Sequence, residues 1–83
     1  MYSPDGSKIV YAQIQADGVP AIYTMNADGS NQTPLVVMAG VANTEPRYSP
    51  DGTKIVFQSD RDNPGNAKNQ IYIMDANGSN QTR

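Results

Sequence analysis

The 83-residue sequence contains no cysteine, no histidine and no tryptophan. Without cysteine, no disulfide can cross-link the fold, and no thiolate can ligate a metal or act as a nucleophile. Without histidine, the chain lacks the commonest metal ligand and the usual general base. We therefore expect a protein that is not an enzyme and that holds neither a cofactor nor a metal.

Charge is also scarce, and neither sign dominates. Six Lys and Arg residues stand against eight Asp and Glu residues, which gives a formal net charge of -2. Because nucleic-acid binding requires a basic surface, we expect no nucleic-acid partner. The longest apolar run, residues 35–42, is too short to span a bilayer, so we also expect no membrane insertion. No signal peptide is recognised ahead of the first motif.

The chain does contain an internal repeat. Residues 2–11 and residues 48–57 are identical at eight of ten positions, and the two differences are Ser/Thr and Tyr/Phe. A second pair of segments, residues 22–25 and 71–74, has the same Ile-Tyr-x-Met pattern. The first pair is offset by 46 residues and the second by 49, so the three extra residues fall in the connection that begins at Ser59. Insertions belong in loops, which places a loop there.

Each repeat predicts β-strands separated by tight turns. Ser-Pro-Asp-Gly is a turn sequence, because proline presets φ at the second position and glycine accepts a positive φ. The Asp-Gly and Asn-Gly pairs at 28–29 and 77–78 predict hairpin turns. Strands rich in β-branched and aromatic residues are predicted between the turns, at residues 8–15, 21–26, 34–37, 45–48, 54–59 and 70–75, with a further short strand after the turn at 77–78.

The repeat length predicts the architecture. Units of about 40–50 residues with four strands each are typical of propeller blades. We expect an all-β fold with two four-stranded antiparallel blades, the first of which lacks its innermost strand A. Residues 1–37 would form strands B, C and D of the first blade, and residues 38–83 the linker and strands A to D of the second. Tyr23, Met25, Tyr72 and Met74 are predicted to pack between neighbouring blades.

The combined motifs resemble a known family. Tyr-Ser-Pro-Asp-Gly, then Lys-Ile-Val-Phe, then Ser-Asp-Arg-Asp, then Ile-Tyr-Ile-Met-Asp-Ala-Asn-Gly-Ser-Asn is similar to the WD-like β-propeller repeat of the TolB type. The resemblance covers nearly the whole chain. It implies a segment of a propeller, which typically has six blades in this family, and a periplasmic or secreted bacterial location. Family members include protein-binding propellers and the propellers of prolyl-oligopeptidase-like peptidases.

In such a blade, the A–B and C–D turns lie on one face of the disc, and the B–C connection and the D–A linker lie on the other. The tight turns are nearly identical in the two repeats, so turn chemistry accounts for Asp5 and Asp51. The opposite face differs in length and charge, and loops on a rigid scaffold commonly carry binding residues. The candidate binding residues there are Asp60, Arg61, Asp62, Asn66 and Lys68 in one loop, with Asn43, Thr44 and Glu45 in the linker.

Alternatives remain open for this loop and for the function. The run that begins at Asp60 resembles the start of a calcium loop, but an EF-hand would need glutamate at the twelfth position, where Ile71 stands. A solvated hairpin loop is the favoured interpretation. For function, we expect a non-enzymatic scaffold that binds a protein partner or copies of itself, with a trimer favoured over a tetramer. The alternatives are the gating propeller of a hydrolase or an engineered repeat without a ligand.

Overall fold

The computed structural model describes residues 1–38, 40–61 and 70–83. Within them, six strands form two three-stranded antiparallel sheets. The strands are β1 (Lys8–Ile14), β2 (Pro20–Asn26), β3 (Thr33–Val36), β4 (Asn43–Tyr48), β5 (Lys54–Ser59) and β6 (Gln70–Asp75). None of these described residues belongs to a helix long and apolar enough to cross a membrane.

The two sheets are the two predicted blades. The first sheet has the order β1-β2-β3 and supplies strands B, C and D, while the second has the order β4-β5-β6 and supplies strands A, B and C. The predicted all-β fold is confirmed, but the strand count of the second blade differs. In place of the predicted strand D, the second blade has a single bridge between Ile73 and Thr82, and one residue pair is too short to count as a strand. The predicted division at residues 37 and 38 stays a prediction.

The Ser-Pro-Asp-Gly turns form as the sequence predicts. The Gly6 N–H donates to the Ser3 carbonyl at 2.9 Å, and Gly6 has a φ of 75°. The second repeat has the same bond from Gly52 to Ser49, also at 2.9 Å, with a φ of 76°. A positive φ of this size is strained for a residue with a Cβ, so glycine is strongly favoured at both turns.

The core lies between the two sheets. Successive residues of a strand point to opposite faces, and each sheet buries one face against the other. The buried residues of this core are Val10, Ile22 and Val36 from the first sheet and Tyr48, Ile55, Phe57, Tyr72 and Met74 from the second. Tyr72 and Met74 therefore pack between blades, as predicted. The Phe57 and Tyr72 rings stack with their centroids 5.9 Å apart.

Each sheet also has a second apolar face that no other described element covers. The first open face consists of Ile9, Tyr11, Tyr23 and Met25, all half-buried, and its two tyrosine rings stack at 5.9 Å. The second open face consists of Val56, Ile71 and Ile73, of which Ile71 is 57% and Ile73 39% exposed. The predicted packing of Tyr23 and Met25 between blades would require a further blade on the first open face.

The two glycine turns allow a matched test of blade contact. A Cβ on Gly52 would lie 3.3 Å from Pro4 Cδ, whereas a Cβ on Gly6 would meet nothing within 4 Å. Both glycines have nearly the same φ, so the backbone strain of an alanine, about 1–2 kcal/mol, is shared. We expect Gly52→Ala to lower the free energy of unfolding by roughly 0.5–1 kcal/mol more than Gly6→Ala, because only Gly52 faces the other repeat.

Chemical denaturation of both variants beside the wild type measures this difference. Equal losses in the two variants would contradict a close contact between the Pro4 ring and the second turn.

Candidate functional site

The two sheets present two different ends. At one end, the Ala27 N–H donates to the Ser7 carbonyl, and the Ala76 N–H donates to the Thr53 carbonyl, both at 3.0 Å. These bonds hold the A–B and C–D turns of each blade side by side, and we call this end the tight-turn face. At the other end, which we call the loop face, the Asp60 N–H donates to the Ala42 carbonyl at 3.1 Å.

Asp60 fixes the linker to the end of β5. It is 6% exposed, and its Oδ1 accepts a hydrogen bond from the Ala42 N–H at 2.8 Å. Together with the backbone bond to the Ala42 carbonyl, this contact satisfies both backbone polar groups of Ala42. The neighbouring Asn43 is fully buried, and its Nδ2 donates to the Val41 carbonyl at 3.2 Å. Both side chains therefore support the start of β4.

Arg61 lies across the aromatic residues at the end of the second sheet. Its guanidinium carbon is 4.2 Å from the centroid of the Tyr72 ring and 5.5 Å from that of Phe57. Its Nε donates to Ser59 Oγ at 3.0 Å, and its Nη2 donates to Asn43 Oδ1 at 3.4 Å. A planar guanidinium can stack on a ring and donate in its own plane at the same time. Arg61 thus joins β4, β5 and β6.

The structure brings three of the predicted site residues together: Asn43, Asp60 and Arg61. Thr44 and Glu45 follow along β4, where Glu45 is exposed, has a φ of 52° and accepts a hydrogen bond from Gln58 Nε2 at 3.2 Å. The predicted residues Asp62, Asn66 and Lys68 lie outside the described residues. The binding role of the whole set stays a prediction.

Sequence reasoning missed the partners of Arg61. The sequence predicts that Ser59 and Tyr72 lie in strands, but it indicates no role for either residue at this end. Strand alternation could have placed Ser59 on the same face as Phe57, and the β5–β6 register pairs Phe57 with Tyr72. The sequence predicts a loop after Ser59, but it does not determine that the Arg61 side chain packs over the Tyr72 and Phe57 rings.

The loop face of the first blade has different chemistry. Gln15 stands 46 residues before Arg61, and its Oε1 accepts a hydrogen bond from the Tyr23 hydroxyl at 3.1 Å. A cavity of about 260 Å³ lies beside it, lined in part by Asp17, Val37 and Met38. The two blades therefore support the same face with different side chains.

The described residues hold no cluster of three or more carboxylates that could bind a metal ion. The proposed alternative of a calcium loop involves residues 60–71, of which 62–69 lie outside the described part of the chain, so that alternative stays a prediction.

The tight-turn face holds two strongly hydrogen-bonded carboxylates. Hydrogen bonds from the Ser3 hydroxyl and then from the Ser7 N–H and hydroxyl lower the pKa of Asp5 from 3.8 to about 2. In the second repeat, Ser49 and Thr53 lower the pKa of Asp51 to the same value. Hydrogen bonds to the charged form favour ionisation, so both carboxylates are ionised at neutral pH.

These two pKa values predict acid sensitivity. A carboxyl group with a folded pKa near 2 and an unfolded pKa near 3.8 adds stability above 3.8, and that stability is lost as the pH falls toward 2. We expect the double variant Asp5→Asn, Asp51→Asn to be less stable than the wild type at neutral pH and to lose less stability in this window. Denaturant unfolding at several pH values measures how the free energy of unfolding of each protein depends on pH. The same pH dependence in the wild type and the double variant would refute the assignment.

Arg61 provides a test of the aromatic contact. We expect Arg61→Lys to lower the free energy of unfolding by about 1–2 kcal/mol, because lysine keeps the charge but loses the planar stack on Tyr72 and the fork to Ser59 and Asn43. The control is Arg47→Lys on the exposed surface of β4, which should change stability by less than about 0.5 kcal/mol. Thermal unfolding compares the two, and an equally small effect at Arg61 would contradict a structural contact.

Three known proteins illustrate what the chain is similar to. An uncharacterized protein of Agrobacterium fabrum is 38% identical over 82 residues, which cover 99% of this chain and 26% of that protein. The uncharacterized peptidase YuxL of Bacillus subtilis is 34% identical, over 93% of this chain and 12% of the peptidase. The Tol-Pal system protein TolB of Alcanivorax borkumensis is 35% identical, over 74% of this chain and 14% of that protein. The chain thus spans about a quarter or less of the length of these relatives.

A solved structure shows the same fold. The structure of a putative TolB from Agrobacterium tumefaciens superposes with a TM-score of 0.83 at 36% sequence identity, covering 99% of this chain and 27% of that one. Residues 1–83, the whole sequence, match the family described as the TolB beta propeller domain. The repeated turn motifs, the two sheets and these similarities agree, and the chain belongs to the TolB β-propeller family.

Proposed function

We propose that the chain is a non-enzymatic propeller segment whose open faces pack against blades of the same repeat, forming a scaffold for protein binding. The observation that carries this proposal is the interface already present between the two sheets. It supplies a template for what each open face would contact, because the repeat relates residues 2–33 of the first blade to residues 48–82 of the second.

The first open face corresponds to the face that the second sheet buries. Ile9, Tyr11, Tyr23 and Met25 are the repeat equivalents of residues 55, 57, 72 and 74, which are 0–7% exposed. Three of the four pairs are identical, and the fourth exchanges tyrosine for phenylalanine. The first open face therefore has the chemistry of a surface that is covered elsewhere in the same chain.

The second open face corresponds to the face that the first sheet buries. Val56 and Ile71 are the equivalents of Val10 and Ile22, both of which are fully buried. Ile73 occupies the position of Thr24, which makes this face more apolar than its counterpart. Full burial of one such side chain contributes about 1.5–3 kcal/mol, so covering both isoleucines would offset a substantial part of the cost of association.

The two open faces thus fit each other in the manner of the internal interface. This head-to-tail contact is heterologous, and such contacts form a ring when the rotation between copies closes. Three copies of two blades would give the six blades typical of the family resemblance, and four would give eight. The trimer is the proposed state of the 83-residue chain, and in a longer chain the same faces would contact the adjacent blades.

Binding of a protein partner is proposed for the loop face. Asn43, Asp60 and Arg61 would brace that face, and Thr44, Glu45, Asp62, Asn66 and Lys68 would contact the partner. Similarity to a Tol-Pal system protein supports a role in protein contacts and a periplasmic or secreted location. The second candidate is the propeller portion of a peptidase, which the similarity to the peptidase YuxL favours. A Gly-x-Ser-x-Gly nucleophile motif in the same reading frame would support that second candidate.

The self-assembly proposal predicts a position-specific effect of charge. We expect the wild-type chain to give a discrete trimer in light scattering coupled to size exclusion. Ile71→Lys should convert it to a monomer, because it places an ammonium group in the second open face, where association would desolvate it. The control is Ile14→Lys, an equally drastic change at a 63% exposed strand residue outside both open faces, and it should leave the trimer intact.

Two results would overturn the self-assembly proposal. One is a monomeric wild-type chain at all concentrations tested. The other is a trimer that both lysine variants leave unchanged or dissociate equally.

A further inference from the structure

The C–D turn of the second blade contains an asparagine that is followed by glycine. The chain has eight asparagines, and only Asn77 precedes a glycine. The side-chain carbonyl of an asparagine can be attacked by the backbone nitrogen of the next residue, and glycine obstructs this attack least because it has no Cβ. Asn77 is also exposed, so water can reach the product of such an attack.

The hydrogen bonds of this turn act on both reacting groups. Asn77 Oδ1 accepts hydrogen bonds from the Ser79 N–H at 3.0 Å and from the Ser79 hydroxyl at 2.6 Å. Two donors at this oxygen favour the negative charge that develops on it when its carbon is attacked. The Gly78 N–H, in contrast, donates to the Asp75 carbonyl at 2.9 Å, which restrains the attacking nitrogen. The attack therefore requires this backbone bond to open.

The equivalent turn of the first blade has a carboxylate at the same place. Asp28 Oδ1 accepts hydrogen bonds from the Ser30 N–H at 2.9 Å and from the Ser30 hydroxyl at 2.5 Å, and the Gly29 N–H donates to the Asn26 carbonyl at 2.8 Å. The bonds from the Ser30 hydroxyl and N–H lower the pKa of Asp28, so this carboxylate is ionised at neutral pH and is a poor target for a nucleophile. The first turn therefore shows how an aspartate fits the turn that Asn77 occupies.

The second turn also contacts the other blade. A Cβ on Gly78 would lie 3.2 Å from the Leu35 carbonyl oxygen, whereas a Cβ on Gly29 would meet nothing within 4 Å. Leu35 belongs to β3 and packs, partly buried, against the core between the sheets. A change in the backbone beside Gly78 would therefore disturb the contact between the two blades.

We propose that Asn77 is a site of spontaneous deamidation, which proceeds when the C–D turn of the second blade opens and which yields one product that weakens the contact between the blades. The Gly78 nitrogen loses its proton and bonds to Asn77 Cγ, the bond from Cγ to the side-chain nitrogen breaks, and ammonia leaves with the proton. Water then opens the resulting succinimide ring at either carbonyl and gives aspartate or isoaspartate. No atom is oxidised or reduced, and water is the co-reactant.

The two products differ in the path of the backbone. Aspartate keeps the ordinary path and reproduces the turn that Asp28 forms in the first blade. Isoaspartate adds one carbon to the path, because the chain then runs through the former side chain. We expect the longer path to displace Gly78 from its position against Leu35.

Peptide mapping by mass spectrometry tests the site. The chain is incubated at mildly alkaline pH, both folded and unfolded in guanidinium chloride, until Asn77 or another asparagine has reacted. We expect Asn77 to react first in both samples. The reaction should be slower in the folded chain by at least roughly tenfold, because only molecules with an open turn react.

A matched pair of variants tests whether opening of the turn controls the rate. Asp75 Oδ2 accepts hydrogen bonds from the Asn80 amide at 2.7 Å and from the Ser79 hydroxyl at 3.3 Å. Asp75→Ala removes these bonds and should accelerate deamidation of the folded chain by roughly 3- to 10-fold. The control is Asn26→Ala, which removes the side chain at the equivalent position of the first repeat and should leave the rate at Asn77 unchanged.

The melting temperatures of the two products test the structural consequence. The isoaspartate form, separated from the aspartate form by chromatography, should melt at least about 4 °C below the wild type. Asn77→Asp has the same charge with an ordinary backbone, and it should melt within about 1 °C of the wild type. This variant should also accumulate no further acidic species while the wild type does.

Each part of the proposal can fail separately. Another asparagine that reacts before Asn77 would overturn the site. Equal rates in the folded and unfolded chains, or equal acceleration by Asp75→Ala and Asn26→Ala, would overturn control by the turn. An isoaspartate form that melts like Asn77→Asp would overturn the effect on the blade contact. These outcomes do not depend on self-assembly, because the reacting groups and Leu35 belong to one chain.

Discussion

The packing of one blade face against the opposite face of the next is the constraint on which the rest of the structure depends. Strands β1, β2, β5 and β6 carry apolar residues on both sides, as Ile9, Val10 and Tyr11 illustrate in β1, so each sheet has two faces to bury. The internal interface satisfies only one face of each sheet. Because the two buried faces are chemically different, the interface is directional, and an added blade must pack in the same orientation. Directionality is what makes an array of such blades a ring or an arc, since identical faces would pair and stop at two.

The two ends of the blades follow different rules. At the tight-turn face, equivalent residues make equivalent bonds, so that Ser3 and Ser49 hold their aspartates in the same way. At the loop face, Arg61 covers Tyr72, while its counterpart Gln15 accepts a hydrogen bond from the Tyr23 hydroxyl. One end is thus determined by backbone geometry, which tolerates little change, and the other by side chains that need only cover the strand ends. In agreement with this difference, the B–C connection of the second blade is three residues longer than that of the first, yet β5 and β6 pair in the same register as β1 and β2.

Local sequence determined the elements that could be predicted. The bounds of β5 and β6 agree with the prediction residue for residue, and those of β1 differ by one. For β1 and β5 the reason is that each strand begins after a Ser-Pro-Asp-Gly turn with specific φ requirements. The burial of Asn43 could not be predicted, since a polar residue in a linker is ordinarily solvated. Its burial depends on Asp60 and Arg61, which approach it only after β4 and β5 have paired. The strand predicted after Asn77 became a single bridge at Thr82 because turn propensity fixes where a hairpin begins but not how far its ladder extends.

The same reasoning limits what the loop face can offer to a partner. Asp60 holds the Ala42 N–H, and Arg61 donates to Ser59 and Asn43, so recruiting either residue for binding would require breaking contacts that stabilise the blade. Breaking a buried polar contact typically costs about 1–3 kcal/mol, which a new contact would first have to offset. Glu45 is less constrained, because it is exposed, accepts one hydrogen bond from the Gln58 amide and lies in the irregular part of the β4–β5 ladder with a positive φ. Recognition at this face would therefore rest on residues outside the Asn43, Asp60 and Arg61 cluster, such as the exposed Glu45.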